Sequence, residues 1–283
     1  MRKVLSILII QLIFQFSVFS QGGMWLPSEL KGQTEKDMKK LGLKIKADKI
    51  YNETEPSIKD AIVKFGGGCT GSVISNQGLI ITNHHCGYGS IQRLSTVENN
   101  LLQNGFWAES FDEELPANGM TVTFVEQIID VTDEILSGVN DDMSMAESQS
   151  VVDLNINRVK SRYTEDAFHT IEIKPFYYGN KYYLFKNLIF KDIRLVGVAP
   201  EAVGKFGADT DNWMWPRHNA DFSIFRIYAD KNNNPAEYSD ENIPYKSKYY
   251  LPVSKGGLEE NDFTMVFGFP ELHKSICLHW ELT

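Results

Sequence analysis

The stretch Gly68-Cys69-Thr70-Gly71-Ser72-Val73-Ile74-Ser75-Asn76-Gln77-Gly78-Leu79-Ile80-Ile81-Thr82-Asn83-His84-His85-Cys86 decides the fold class. Two short aliphatic and β-branched runs, 71–75 and 78–82, flank the turn-forming pair Asn76-Gln77, and that pattern is a β-hairpin. One cysteine opens the unit and another closes it. Their separation of 17 positions suits two strand ends that a single hairpin brings together, so Cys69 and Cys86 are expected to form a disulfide. The bridge would fix the backbone beside His85, and a general base must be held to within a fraction of an ångström of its nucleophile. Taken alone, these residues also allow a structural disulfide beside two ordinary turn histidines, and they do not choose between His84 and His85.

Away from the hairpin, residues 28–48 read as a lysine-rich surface helix followed by a turn, with Leu30, Met38, Leu41 and Leu43 recurring. Residues 61–65 form a candidate strand ahead of the hairpin. Ile91, Leu94, Val97, Leu101 and Leu102 give 90–104 a helical spacing, 121–131 alternates as a strand, and 132–160 is polar and helical in character. Two longer β runs, 170–176 and 181–199, precede further ones at 222–228, 249–254 and 262–269. No internal repeat and no Pro/Ser-rich linker divides the chain. The expectation is one mainly β domain with helical insertions.

Of the 283 residues, 42% are hydrophobic and 12% aromatic, a globular composition that excludes wholesale disorder. A net charge of −9 offers no general attraction to phosphate backbones or anionic lipid, so nucleic acid is not an expected partner. Met1-Arg2-Lys3, the apolar stretch 4–19 and Ser20 read as a signal peptide over 1–20, cleaved before Gln21, with an uncleaved anchor as the alternative. Once cleaved, the chain would hold no membrane segment and would reside in the periplasm, on the cell surface or outside the cell, where disulfides persist. Cys69, Cys86 and Cys277 contain no CxxC pair, and the histidines include no HExxH, so no metal and no other cofactor is expected.

The small-Gly-Ser-aliphatic hairpin ending in Thr-x-x-His-Cys resembles the histidine region of chymotrypsin-like serine peptidases. The fuller string Thr82-Asn83-His84-His85-Cys86-Gly87-Tyr88 is similar to a narrower group, the S46-type dipeptidyl peptidases exported by bacteria. The likeness continues through Gly23-Met24-Trp25, Gly105-Phe106-Trp107-Ala108 and Asp209-Thr210-Asp211-Asn212-Trp213-Met214-Trp215-Pro216-Arg217-His218. It then runs through Asp221-Phe222-Ser223 and Arg226-Ile227-Tyr228, covering about residues 22–270. The resemblance implies a chymotrypsin-like, trypsin-fold β-barrel with helical insertions over 21–270, the first of two barrels. It implies that His85 rather than His84 is the catalytic base and that Asp221 orients it. It assigns Asn212 and Trp213 to the substrate's free N-terminus, where an amide carbonyl can receive the ammonium and an indole can block further subsites. The implied activity is release of dipeptides from oligopeptides with a free N-terminus, by a parent enzyme for which a homodimer is an open assembly.

The chain departs from that pattern in two places. No Gly-x-Ser-Gly string occurs, Ser72 lies inside the hairpin, and the resemblance puts the nucleophilic serine in a second barrel after a helical domain. After Gly268-Phe269-Pro270, residues 271–283 read as an atypical tail that comes from a frameshift or a damaged gene, which leaves Cys277 without a role. The expectation is therefore a serine-type dipeptidyl-peptidase truncated before the helical domain and second barrel. Alone it would be inactive and would fold poorly, exposing an apolar face. The alternative is a non-catalytic exported peptide-binding module. Two further stretches carry no chemistry: Asp230 to Glu241 spaces its oxygens like a calcium loop but puts Pro235 where glycine is required, and Gly66-Gly67-Gly68 lacks the ending of a phosphate loop.

Overall fold

The structure is a computed structural model that describes residues 24–163, 166–207, 216 and 218–270, with the backbone of 277–282. Eleven strands form one antiparallel sheet: β1 (Ile62–Phe65), β2 (Cys69–Val73), β3 (Leu79–Thr82), β4 (Phe106–Trp107), β5 (Leu115–Pro116), β6 (Val122–Asp130), β7 (His169–Phe176), β8 (Lys181–Phe190), β9 (Ile193–Val198), β10 (Ser223–Ala229) and β11 (Ile243–Pro244). Their order is β4-β9-β10-β3-β2-β1-β6-β8-β7, with β5 added on β9 and β11 on β10. A separate ribbon pairs β12 (Phe263–Gly268) with β13 (Cys277–Leu282). The connections carry helices α1 (Gln33–Lys40), α2 (Ala47–Ile50), α3 (His84–Leu94), α4 (Leu101–Asn104), α5 (Thr132–Ile135), α6 (Met145–Lys160) and α7 (Glu201–Gly204). The chain is thus mainly antiparallel sheet with helical insertions.

The hairpin forms as its alternation dictates. Val73 and Ile80 are fully buried while Ile81 is exposed, so one face of β2 and β3 enters the core beside Val63, Phe65 and Phe225. Gly78 turns the chain into β3 with φ at +67°, a conformation that other L-residues resist. Gly71 lies so close to Ile80 that an added Cβ would sit 2.8 Å from its methyl carbon, which makes glycine a packing requirement there. Cys69 at the start of β2 is bonded to Cys86 in the first turn of α3, with their Cα atoms 6.1 Å apart. The disulfide therefore ties the helix to the far end of the hairpin.

Several elements differ from their sequence reading, each for a local reason. The helix expected over 28–48 is broken by Gly32 and Gly42, both at positive φ, leaving α1 and α2 as short pieces. The helix expected over 90–104 begins earlier, at His84, and ends at Ser95, whose hydroxyl donates to the Ile91 carbonyl and accepts from the Leu101 amide. Residues 132–160 divide into α5 and α6, the latter opened by a capping box between Ser144 and Glu147. The run 181–199 divides at Asp192, whose buried carboxylate binds Arg194 and Asn242. Residues 249–254 form no strand: Pro252 has no N–H to give, and the Leu251 amide makes one bond to the Val73 carbonyl. Within the tail, 277–282 pairs with β12, so 262–269 does not supply the last strand.

The outer end of β9 and β10 carries buried charge that the sequence reading did not assign. Arg226 donates to Glu114 at 2.8 Å, Tyr228 donates to the same carboxylate at 2.9 Å, and the Arg194 guanidinium stacks 3.6 Å over the Tyr228 ring. Each charge has its partner, as burial requires. The loop Asp230 to Glu241 is a polar hairpin turn between β10 and β11, with Asp230 Oδ1 accepting from the amides of Asn232 and Asn234.

Replacing both bridged cysteines, Cys69→Ala with Cys86→Ala, is expected to lower the unfolding free energy by about 3 kcal/mol, the chain-entropy value for a loop of this size. Denaturant titration of the oxidised chain and the double variant checks it, and coincident midpoints would refute it.

Candidate active site

Strand pairing brings two distant segments together. Ser223 at the start of β10 pairs in register with Thr82 at the end of β3, so the residues before β10 and after β3 must meet. Ser223, fully buried, strengthens the junction by donating its hydroxyl to the Asn83 carbonyl at 2.9 Å. Gly87 in α3 leaves no room for a side chain against this corner, since an added Cβ would lie 2.8 Å from the Ser223 hydroxyl and 2.9 Å from Phe225. The first turn of α3 consequently sits directly against the start of β10.

At that corner His85 Nδ1 lies 2.9 Å from Asp221 Oδ2. The other carboxylate oxygen, Oδ1, accepts from the His85 backbone amide at 3.1 Å, and the Asn83 side chain donates to Oδ2 at 3.1 Å. Asn83 occupies the N-cap position of α3, yet its side chain makes no capping bond. Asp221 caps the helix instead, binding the amide two residues into it and placing a negative charge at the positive end of the helix. Asn83 meanwhile fixes the cap.

Burial pushes the Asp221 carboxyl up, but the hydrogen bonds from the His85 amide and ring, the His85 charge and the Asn83 amide outweigh it and hold the group below the ordinary carboxylate range. Asp221 is then ionised at neutral pH and can only accept, so Nδ1 of His85 must carry the proton. In the neutral imidazole, Nε2 then keeps a free lone pair. The His85 side chain is 62% exposed against 23% for Asp221, so the orienting group is sheltered and the basic nitrogen is open. Among the described residues no hydroxyl bonds Nε2.

His84 points the other way. It is fully buried, and neither ring nitrogen has a hydrogen-bond partner. Burial pushes its ring below the ordinary histidine range, with Asp221 pulling upward against it. Next in sequence to Asp221, the Phe222 ring lies 6.3 Å from that of Trp107, whose indole covers Gly197.

Cys69, His85 and Cys86 place three potential ligand atoms within 4.8 Å of one another, but the two sulfurs are joined to each other and cannot act as thiolates. The trio is not a metal site. Asn212 and Trp213 lie outside the described residues. Among the described residues, no helix is long and apolar enough to cross a membrane. Sequence reasoning missed Asn83 as a ligand of the carboxylate, for which an asparagine immediately before a helix was the available signal.

The sequence profile of the family described as Peptidase S46 matches residues 20–283. The Asp/Glu-specific dipeptidyl-peptidase of Flavobacterium psychrophilum is 50% identical over 268 residues, 95% of this chain and 37% of that protein. Dipeptidyl-peptidase 7 of Capnocytophaga gingivalis is 46% identical over 283 residues, 99% of this chain and 40% of that protein. The crystal structure of Porphyromonas endodontalis DPP11 in complex with substrate superposes with a TM-score of 0.77 at 46% identity, covering 88% of this chain and 37% of that one. The chain thus spans well under half the length of these relatives. On a profile match that runs through nearly all of its residues and relatives about half identical to it, the chain belongs to the peptidase S46 family.

Proposed function

We propose that this chain supplies the base-bearing part of a serine-type dipeptidyl-peptidase, an exopeptidase that releases dipeptides from the free N-terminus of oligopeptides. One observation carries the reading: a sheltered, ionised Asp221 holds the proton on His85 Nδ1 and leaves Nε2 open, on the first turn of a disulfide-anchored helix. The names of the relatives, Asp/Glu-specific dipeptidyl-peptidase and dipeptidyl-peptidase 7, agree with it. The sheet around this corner is read as the first barrel of a chymotrypsin-like fold, in which a hairpin delivers the base and a later strand delivers the aspartate. The nucleophilic serine is assigned to the part of the relatives' length that this chain does not span, so the 283 residues alone should release no dipeptide.

In this reading the serine Oγ attacks the carbonyl carbon of the second peptide bond while His85 Nε2 takes its proton. The C–N bond then breaks as the imidazolium returns that proton to the departing amine. A water that gives its proton to His85 next hydrolyses the dipeptidyl–serine ester, releasing the dipeptide and restoring the serine as the imidazolium returns the proton to Oγ. Asp221 remains ionised throughout and stabilises the imidazolium. Asn212 and Trp213 are proposed to hold the substrate's ammonium. The disulfide and the apolar run at 4–19 support export and cleavage of a signal at 1–20, with the working enzyme in the periplasm, at the cell surface or secreted.

In a full-length polypeptide carrying this segment, His85→Ala and Asp221→Asn are each expected to lower turnover by about 10³-fold or more, because members of a triad act as a unit. His84→Ala should retain more activity than either. Release assays on peptides with free and blocked N-termini complete the test. Equal cleavage of both would defeat the exopeptidase reading, and unchanged turnover in His85→Ala would defeat the assignment of the base.

Stability should follow pH through the same carboxylate. Because the Asp221 pKa is lowered on folding, its contribution is fully present above the unfolded carboxylate value and is lost as pH falls through the lower native value. The Tm difference between wild type and Asp221→Asn is expected to shrink between about pH 7 and about pH 3. A difference that stays constant across that range would disprove the coupling.

A further inference from the structure

The His84 ring is buried without a single hydrogen bond, so it contributes shape rather than polarity. What it meets is backbone. A Cβ added at Gly204, the last residue of α7, would lie 2.7 Å from His84 Nδ1, 2.8 Å from Cγ and 3.0 Å from Cε1. The helix end therefore rests on the flat of the imidazole, at a distance that only glycine permits. Tyr88 meets the same ring edge-on, and the Lys205 ammonium sits 3.6 Å over the Tyr88 ring, so α7 and its exit are seated on the start of α3 at His84 and Tyr88.

From Gly204 the contact passes to the aspartate in two steps. The carbonyl of Val203, one residue earlier, accepts from the Ala220 amide at 2.9 Å, and Ala220 immediately precedes Asp221. The Phe222 amide then closes onto the Ala220 carbonyl at 2.7 Å, fixing the backbone on both sides of Asp221. The path is a closed circuit: the His84 ring, Gly204, the Val203 carbonyl, the Ala220 amide, the Asp221 carboxylate and the His85 amide, which is bonded covalently to His84. A planar five-membered ring is thin enough for a backbone to lie against it and stiff enough to set a distance.

We infer that His84 is a positioning residue, a buried spacer that sets the height of α7 and thereby holds Asp221 at the distance from which it can bind His85. The inference rests on reading Asp221 as the group that orients His85, but the test reads the surroundings of Asp221 rather than peptidase activity, so failure of one is distinguishable from failure of the other.

The test uses a full-length polypeptide carrying this segment, with the disulfide intact, in three variants: His84→Ala, which removes the spacer, Gly204→Ala, which overfills the contact, and the double substitution. Two quantities are measured, hydrogen exchange at the Ala220 amide and the carboxyl ¹³C titration of Asp221. Each single variant is expected to speed Ala220 exchange by about tenfold or more while the amide of Leu184 in β8 exchanges as in wild type. Each should also move the Asp221 titration up toward the ordinary carboxylate range. In the double variant the new methyl fills part of the space left by the ring, so Ala220 should exchange more slowly than in Gly204→Ala alone. The inference is overturned if folded single variants keep the wild-type Ala220 exchange and Asp221 titration, or if exchange rises uniformly across the sheet. Should His84→Ala not fold, Gly204→Ala decides by the same two readouts.

Discussion

A carboxylate at the start of a helix is the interaction on which this site depends. Asp221 meets the positive end of α3, where backbone amides have no partner inside the helix, and the same carboxylate accepts a hydrogen bond from the Nδ1–H of His85. One group thus caps the helix, sets the tautomer of His85 and fixes the direction of its ring. These tasks reinforce one another electrostatically. The donors that satisfy Asp221 also keep it ionised against the burial that would protonate it, and an ionised Asp221 is what each donor requires.

The rest of the fold can be understood as the support for that contact. Strand β3 delivers α3, strand β10 delivers Asp221, and their register across Thr82 and Ser223 brings the two deliveries to one point. The disulfide secures α3 from the hairpin side, and the close approach of Gly87 to Ser223 and Phe225 secures it from the β10 side. Farther along the same strand, Arg226 and Tyr228 share the carboxylate of Glu114, locking β10 to the segment that precedes β5. An imidazole on an unsupported loop would lack such fixation.

Much of this was legible in the residues, and the illegible parts have a common cause. The hairpin of 69–82 and the pairing of Cys69 with Cys86 follow from alternation and spacing, which are local. The start of α3 at His84 does not, because Gly87 and Gly89 weaken its helical signal and its cap comes from a residue 136 positions away. An aspartate ahead of an apolar run carries no mark of being a cap, so the roles of His85 and Asp221 came from resemblance rather than from periodicity. The division of 181–199 escaped for the same reason, since Asp192 is tolerated in the core only through Arg194 and Asn242, the latter far along the chain. Local rules found the strands, and long-range polar pairing decided where they stop.

The separation of 136 residues between His85 and Asp221 also orders events in time. Strands β7 and β8 close over a short turn, so that part of the sheet can form early and cheaply. The pairing of β3 with β10 must instead bring together segments with most of the sheet between them, and its closing entropy is repaid only when β10 is seated. A partly folded chain therefore holds a histidine with neither its tautomer nor its direction set. The His85–Asp221 contact is completed only where β3 and β10 are paired.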